Sequence, residues 1–188
     1  HIQYIDILPP EICVVTGEYS FQMMIEILDD EDDVYYTTDG SDPTYSSIPY
    51  TGPIPMPLGR SAFKFARIVD GVTGTIAERD YNLVLNTEYM PENAVYAVAE
   101  HALATGKIYD MDGHFEESGD VYSYVYLYVA NINKVSDFYV IGEYYRGADG
   151  SSTRTGNNFA VNAYTGELFK LQRDDWGRLN LVGIDASE

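Results

Sequence analysis

The residues able to do chemistry are few. Histidine occurs three times, at His1, His101 and His114, and cysteine once, at Cys13. No two histidines have the spacing of a metal-ligand pair, there is no H-E-x-x-H, and a single thiol cannot build a cysteine zinc site or a disulfide within the chain. No G-x-S-x-G places a serine on a strand-to-helix elbow. No phosphate loop and no G-x-G-x-x-G are present. Carboxylates are abundant, 30 Asp and Glu against 11 Lys and Arg, for a net charge of −19. A glycoside hydrolase needs two carboxylates about 5–10 Å apart across a cleft, usually on a larger scaffold. The residue types therefore imply no catalytic site, no metal and no cofactor.

Two acidic loops carry carboxylates that could take calcium. Asp110-Met111-Asp112-Gly113-His114-Phe115-Glu116-Glu117 lacks the twelve-residue EF-hand order, since Gly113 follows Asp112 directly, and reads first as a turn. Asp39, Ser41 and Asp42 could offer oxygens to an ion. The plainer reading has the two carboxylates accepting hydrogen bonds from their own loop's N–H groups. His101 falls beside or opposite the apolar stripe of its helix, in a surface or packing role. Cys13, within the apolar stretch 12–15, is expected to be a buried small hydrophobe.

The elements that would position these residues change character once. The first part reads as short strands, Phe21–Leu28, Val34–Thr38, Ser61–Val69 and Thr75–Leu83, separated by turn residues. Between them, Gly52-Pro53 and Pro55-Met56-Pro57 bracket a segment fit only for a sheet edge. After the polar stretch Asn86–Pro91 comes one helix, with Val95, Val98, Ala99, Ala102 and Leu103 at helical spacing and Gly106 as its stop. Further strands follow at Val121–Ala130, Phe138–Tyr145, Asn158–Ala163, Glu167–Leu171 and Leu179–Ile184. The expected architecture is two domains. Residues 1–88 form an antiparallel β-sandwich, and residues 89–188 an α+β domain with one helix on a four- to five-stranded antiparallel sheet.

Alternation along Val121–Val129 places Tyr122, Tyr124, Tyr126 and Tyr128 on one strand face and Ser123, Val125, Leu127 and Val129 on the other. The aliphatic set is the natural partner for the helix stripe. The four rings are then expected on the open face, either packing across strands with Tyr139 or Tyr145 or forming a binding surface for a glycan, a peptide or a second subunit.

The stretch Val34-Tyr35-Tyr36-Thr37-Thr38-Asp39-Gly40-Ser41-Asp42-Pro43-Thr44, with Tyr50-Thr51-Gly52-Pro53-Ile54, Leu58-Gly59 and Tyr81-Asn82-Leu83, resembles the chitobiase/β-hexosaminidase C-terminal domain family. That family is also described as fibronectin-type-III-associated, and the resemblance covers roughly residues 9–84. It implies a small immunoglobulin-like sandwich, used as an accessory module in extracellular bacterial proteins and carrying no catalytic residues. The second half is similar to C-terminal domains of uncharacterised Firmicutes surface proteins. The motifs are Glu100-His101, Thr105-Gly106-Lys107-Ile108, Asp112-Gly113-His114 and Thr155-Gly156-Asn157-Asn158-Phe159-Ala160-Val161-Asn162-Ala163-Tyr164-Thr165-Gly166-Glu167. This likeness implies an ectodomain, anchored in the membrane through a segment absent from this chain.

Charge narrows the partners. A pI near 4.2 repels nucleic acid and disfavours an anionic lipid surface. No run approaches the ~20 apolar residues needed to cross a bilayer, so direct membrane insertion by this chain is not expected. The partners left are a glycan or cell-wall component, or another envelope protein. The start at His1, without an initiator methionine, reads as an excised fragment with His1 as a tag remnant.

Overall fold

The computed structural model describes residues 6–184, so the reading of His1 lies outside the described residues. The chain divides into two compact units, one ending at Leu85 and the other beginning at Asn86.

The first unit is built on one six-stranded sheet. Its strands are β1 (Gly17–Tyr19), β2 (Val34–Thr37), β3 (Ile48–Pro49), β4 (Gly59–Val69), β5 (Val72–Thr73) and β6 (Ala77–Leu83). They run in the order β1-β6-β4-β2-β3, with β5 folding back on β4. All pairs are antiparallel except β1 with β6, where Gly17 stands beside Tyr81. Tyr36, Phe63 and Phe65 stack on one another, and Tyr81 meets Phe63 edge-on. Stacked and edge-on rings of this kind supply both buried area and fixed geometry.

The apolar segment Phe21–Leu28, expected as a strand, is not one. It is held by isolated bridges, Ile12 to Ile27 and Ile25 to Ile54, while Phe21 and Leu28 point into solvent. Of its apolar residues only Ile25 and Ile27 are fully buried. A buried amide clamp holds the segment's start, where Gln22 Nε2 donates to the Met56 carbonyl and Met56 N–H donates to Gln22 Oε1, both at 3.0 Å. Asp39 Oδ1 accepts from Ser41 N–H and Ser41 Oγ, and Thr37 Oγ1 donates to the Ser41 carbonyl, so this loop is hydrogen-bonded to itself. Cys13 corrects an expectation. It is exposed, because Ile12 and Val14 take the inward positions on either side of it.

The second unit has one helix, α1 (Pro91–Ala104), and five strands, β7 (Val121–Ile132), β8 (Ser136–Arg146), β9 (Ser152–Asn162), β10 (Leu168–Arg173) and β11 (Leu179–Gly183). Pro91 occupies the first turn, where its missing N–H costs nothing, and Asn93 Oδ1 accepts from Met90 N–H. Thr105 caps the other end, and Gly106 follows with φ of 78°, a left-handed position that glycine takes without strain. The strands form an antiparallel meander in the order β11-β10-β9-β8-β7. The edge strand β11 comes back against β7, so the sheet is curled. Inside the curl lie Ala130, Ile132, Phe138, Val140, Ala160 and Leu171, with Leu127 and Tyr128 from β7 and Leu179 and Leu181 from β11 packed on them.

Candidate functional site: a cleft beside a buried glutamate

Two irregularities shape the site. In β7 the register slips between Tyr126, opposite Ile141, and Tyr128, opposite Val140, leaving Leu127 as an extra residue. In β9 the pairing with β8 jumps from Asn158–Gly142 to Arg154–Tyr144, so Thr155, Gly156 and Asn157 bulge out over Glu143. Gly156 has φ of 88°, the conformation such a bulge needs at one residue.

The β9 bulge surrounds Glu143. This side chain has no exposed surface. Its Oε1 accepts from Lys107 Nζ at 2.9 Å, Thr155 Oγ1 at 2.8 Å and Asn157 Nδ2 at 3.0 Å, and its Oε2 accepts from Tyr124 Oη at 2.9 Å. Burial alone would raise the carboxyl's pKa. The hydrogen bonds from Asn157, Lys107, Thr155 and Tyr124 outweigh it and hold Glu143 below the usual carboxylate range. The Tyr124 phenol is correspondingly pushed up, by burial first and by the Glu143 charge second. Glu143 is therefore an ionised carboxylate held by four donors and closed off from solvent.

Beside this cluster opens a cleft of about 1320 Å³, reaching from the end of α1 to the last strand. It begins where the β9–β10 ladder stops, at Asn158 opposite Leu171. His101, Lys107, Arg154, Lys170 and Arg173 line it, and no Asp or Glu does among the described residues. Burial, and then the Lys170 charge, hold His101 below the usual imidazole range, so at neutral pH it is uncharged.

The tyrosine row is corrected. Tyr122, Tyr124 and Tyr126 lie on the side of the sheet that bears the helix. Tyr126 meets Tyr139 edge-on, Tyr139 Oη donates to the Tyr89 carbonyl just before α1, and Lys107 just after α1 reaches Glu143. Tyr128 points the other way, into the curl, because the extra residue Leu127 reverses the alternation. The aliphatic residues expected under the helix are accordingly divided, with Val129 opposite Tyr139 and Leu127 inside the curl. Tyr124 is 8 % exposed. Of the four rings, Tyr124 and Tyr128 line the cleft and Tyr122 and Tyr126 do not. Tyr122 instead packs on Phe115 and lies under Lys107 Nζ.

Asp110, Asp112 and His114 each offer one ligand atom, all within 4.8 Å of one another. His114 Nδ1 already pairs with Asp110 Oδ2 at 2.8 Å, and His114 N–H donates to Asp110 Oδ1. A D-x-D-x-H spacing carries this grouping in the sequence. Those internal hydrogen bonds account for it as a turn.

Residues 14–78 match the family model of the chitobiase/beta-hexosaminidase C-terminal domain. That domain type is usually an accessory, non-catalytic module and is typical of extracellular proteins. An immunoglobulin-like sandwich fits the matched segment. No curated protein and no solved structure matches the chain. No helix among the described residues is long and apolar enough to cross a membrane.

Proposed function

We propose that this chain is a non-catalytic binding module of an extracellular bacterial envelope protein. In this reading residues 1–88 are an accessory sandwich domain and residues 89–188 an α+β domain whose cleft does the binding. One observation carries the proposal. The carboxylate beside the cleft, Glu143, is ionised and has both oxygens engaged by four donors, while no Asp or Glu among the described residues lines the space itself. A general acid must hold a proton and a general base must reach its substrate; Glu143 is ionised, and its side chain has no exposed surface. Hydrolysis across a pair of carboxylates finds no second member among the described residues of the cleft. A cleft with donors and rings but no acid–base pair suits binding. The test is incubation of the whole chain with chitin oligomers and with peptidoglycan fragments. No reducing sugar above the buffer background is expected. Release that disappears on changing one Asp or Glu overturns the proposal.

A further inference from the structure

The charge in the cleft runs against the charge of the molecule. After residue 88 the chain carries seven Lys and Arg and fifteen Asp and Glu. Four of the seven, Lys107, Arg154, Lys170 and Arg173, line this one space, and none of the fifteen does among the described residues. Lys107 is paired with Glu143. Arg154, Lys170 and Arg173 have no carboxylate within ion-pair reach among the described residues. Arg154 is aimed by Asn158 Oδ1 at 2.7 Å, and Arg173 by the Gly177 carbonyl at 3.0 Å. A concave wall of one sign focuses its field and concentrates the opposite ion, here against a repulsive background of −19.

A second observation adjoins the first. The β10–β11 turn, tied to Arg173 through Gly177, carries the only tryptophan of the chain. Trp176 is 79 % exposed. The turn is stiff, since Asp174 Oδ1 accepts from Trp176 N–H and Arg178 N–H, and Asp174 Oδ2 accepts from Arg178 Nε. Arg178 lies over the indole, 5.2 Å from its centre. An indole held in water on a rigid turn is a preorganised platform for a flat, partly apolar partner.

Cations give a site for acidic groups, and an exposed indole suits the C–H face of a sugar ring. We propose that the cleft binds an acidic glycan, a chain of sugar or polyol units bearing carboxylate or phosphate groups. The anions sit on Arg154, Lys170 and Arg173, and a ring lies on Trp176. This inference rests on the binding-module reading above.

The experiment is titration of the whole chain, followed by calorimetry and amide chemical shifts, with four probes. They are an oligogalacturonate, a glycerol phosphate oligomer, neutral chitopentaose and octanoate. The expected result is binding of one or both acidic oligomers, with shifts at residues 154–158, 170–173 and 176. The two acidic probes separate carboxylate from phosphate recognition. Affinity should fall with added salt. It should drop about tenfold or more in Arg154→Gln with Lys170→Gln, and also in Trp176→Ala, but not in Lys134→Gln on the β7–β8 turn. All four positions are exposed, so these variants should melt like the parent. Binding of chitopentaose or octanoate alone overturns the acidic-glycan inference while leaving a binding module. Absence of any shift in the cleft also overturns it. Cleavage of a probe overturns the binding-module reading instead.

Discussion

Lys107 Nζ stands 2.9 Å from Glu143 Oε1, joining the segment just after α1 to the middle of β8. The pair is unequal, because the Lys107 side chain is 35 % exposed and that of Glu143 has no exposed surface. Losing Lys107 strands a buried anion, whereas losing the charge of Glu143 releases a lysine that can turn to water. Lys107→Met should therefore destabilise the second unit by about 3 kcal/mol, the low end for a broken buried pair. Adding Glu143→Gln to that variant should recover part of the loss. Denaturant unfolding of the single and double variants checks this. The pH dependence has a definite sign. The folded pKa of Glu143 is depressed, so its stabilisation is present above the ordinary glutamate value of about 4.3 and lost as pH falls through the folded value. Glu143→Gln should flatten that acid limb.

Gly156 makes the β9 bulge. A methyl group there would meet no atom within 4 Å, so only the backbone objects to a side chain. Gly156→Ala should cost about 1–2 kcal/mol, the usual strain of a left-handed residue, with no steric addition. A smaller cost, with unchanged Thr155 and Asn157 amide shifts, would mean that the bulge relaxes freely.

Tyr126 and Tyr145 are among the phenols that should titrate late. Burial pushes Tyr126 up to about 12, with Tyr139 adding to it. The hydrogen bond from Tyr145 Oη to Asp120 Oδ2 pushes Tyr145 up to about 12 as well. Absorbance titration at the phenolate band should show a late component that shrinks in Tyr126→Phe and in Tyr145→Phe. Folding favours the neutral phenols, so their stabilisation is complete below the free value of about 10 and lost as pH rises toward the folded values.

Cys13 should label in the native state. The residue is exposed, and its Sγ accepts from Glu26 N–H at 3.2 Å. A thiol reagent without denaturant should modify it completely. Labelling only at the rate of global unfolding would contradict the exposed position.

The two-domain reading predicts where a protease cuts. Glu88, Tyr89 and Met90 are exposed, and they lie between the last strand of the first unit and Pro91 of the helix. A glutamate-specific protease should nick at Glu88 early and leave two resistant pieces. One resistant core with cuts only at its ends would favour a single cooperative unit.

Much of the framework was legible from local chemistry. Pro91 and Gly106 bracket the helix because each fits a terminus and neither fits the interior. The Asp39–Asp42 turn announces itself through side chains that bond their own backbone. The faces of β7 were not legible. Counting by twos works until a strand gains a residue, and Leu127 gives no sign of being that residue. The choice of face failed for a second reason. The buried helix positions Ala94, Val98 and Ala102 are small, so they accept large rings, while the curl encloses the aliphatic residues. Phe21–Leu28 misled because apolar composition does not guarantee a ladder partner. The cleft was also hidden, since Lys107, Arg154, Lys170 and Arg173 come from a loop and two strands and converge only through topology.

The parallel pairing of β1 with β6 bears on the order in which the first unit assembles. Gly17 waits for Tyr81, and Tyr19 waits for Leu83, so more than sixty residues of chain must be present before that edge can close. Such pairings carry the full entropy of closing a long loop before any contact rewards it, and they slow folding. During synthesis, β2 and β4 can pair while the edge that β1 will occupy on β6 is still being made. A growing chain released or stalled before residue 83 therefore lacks that closed edge of its sheet.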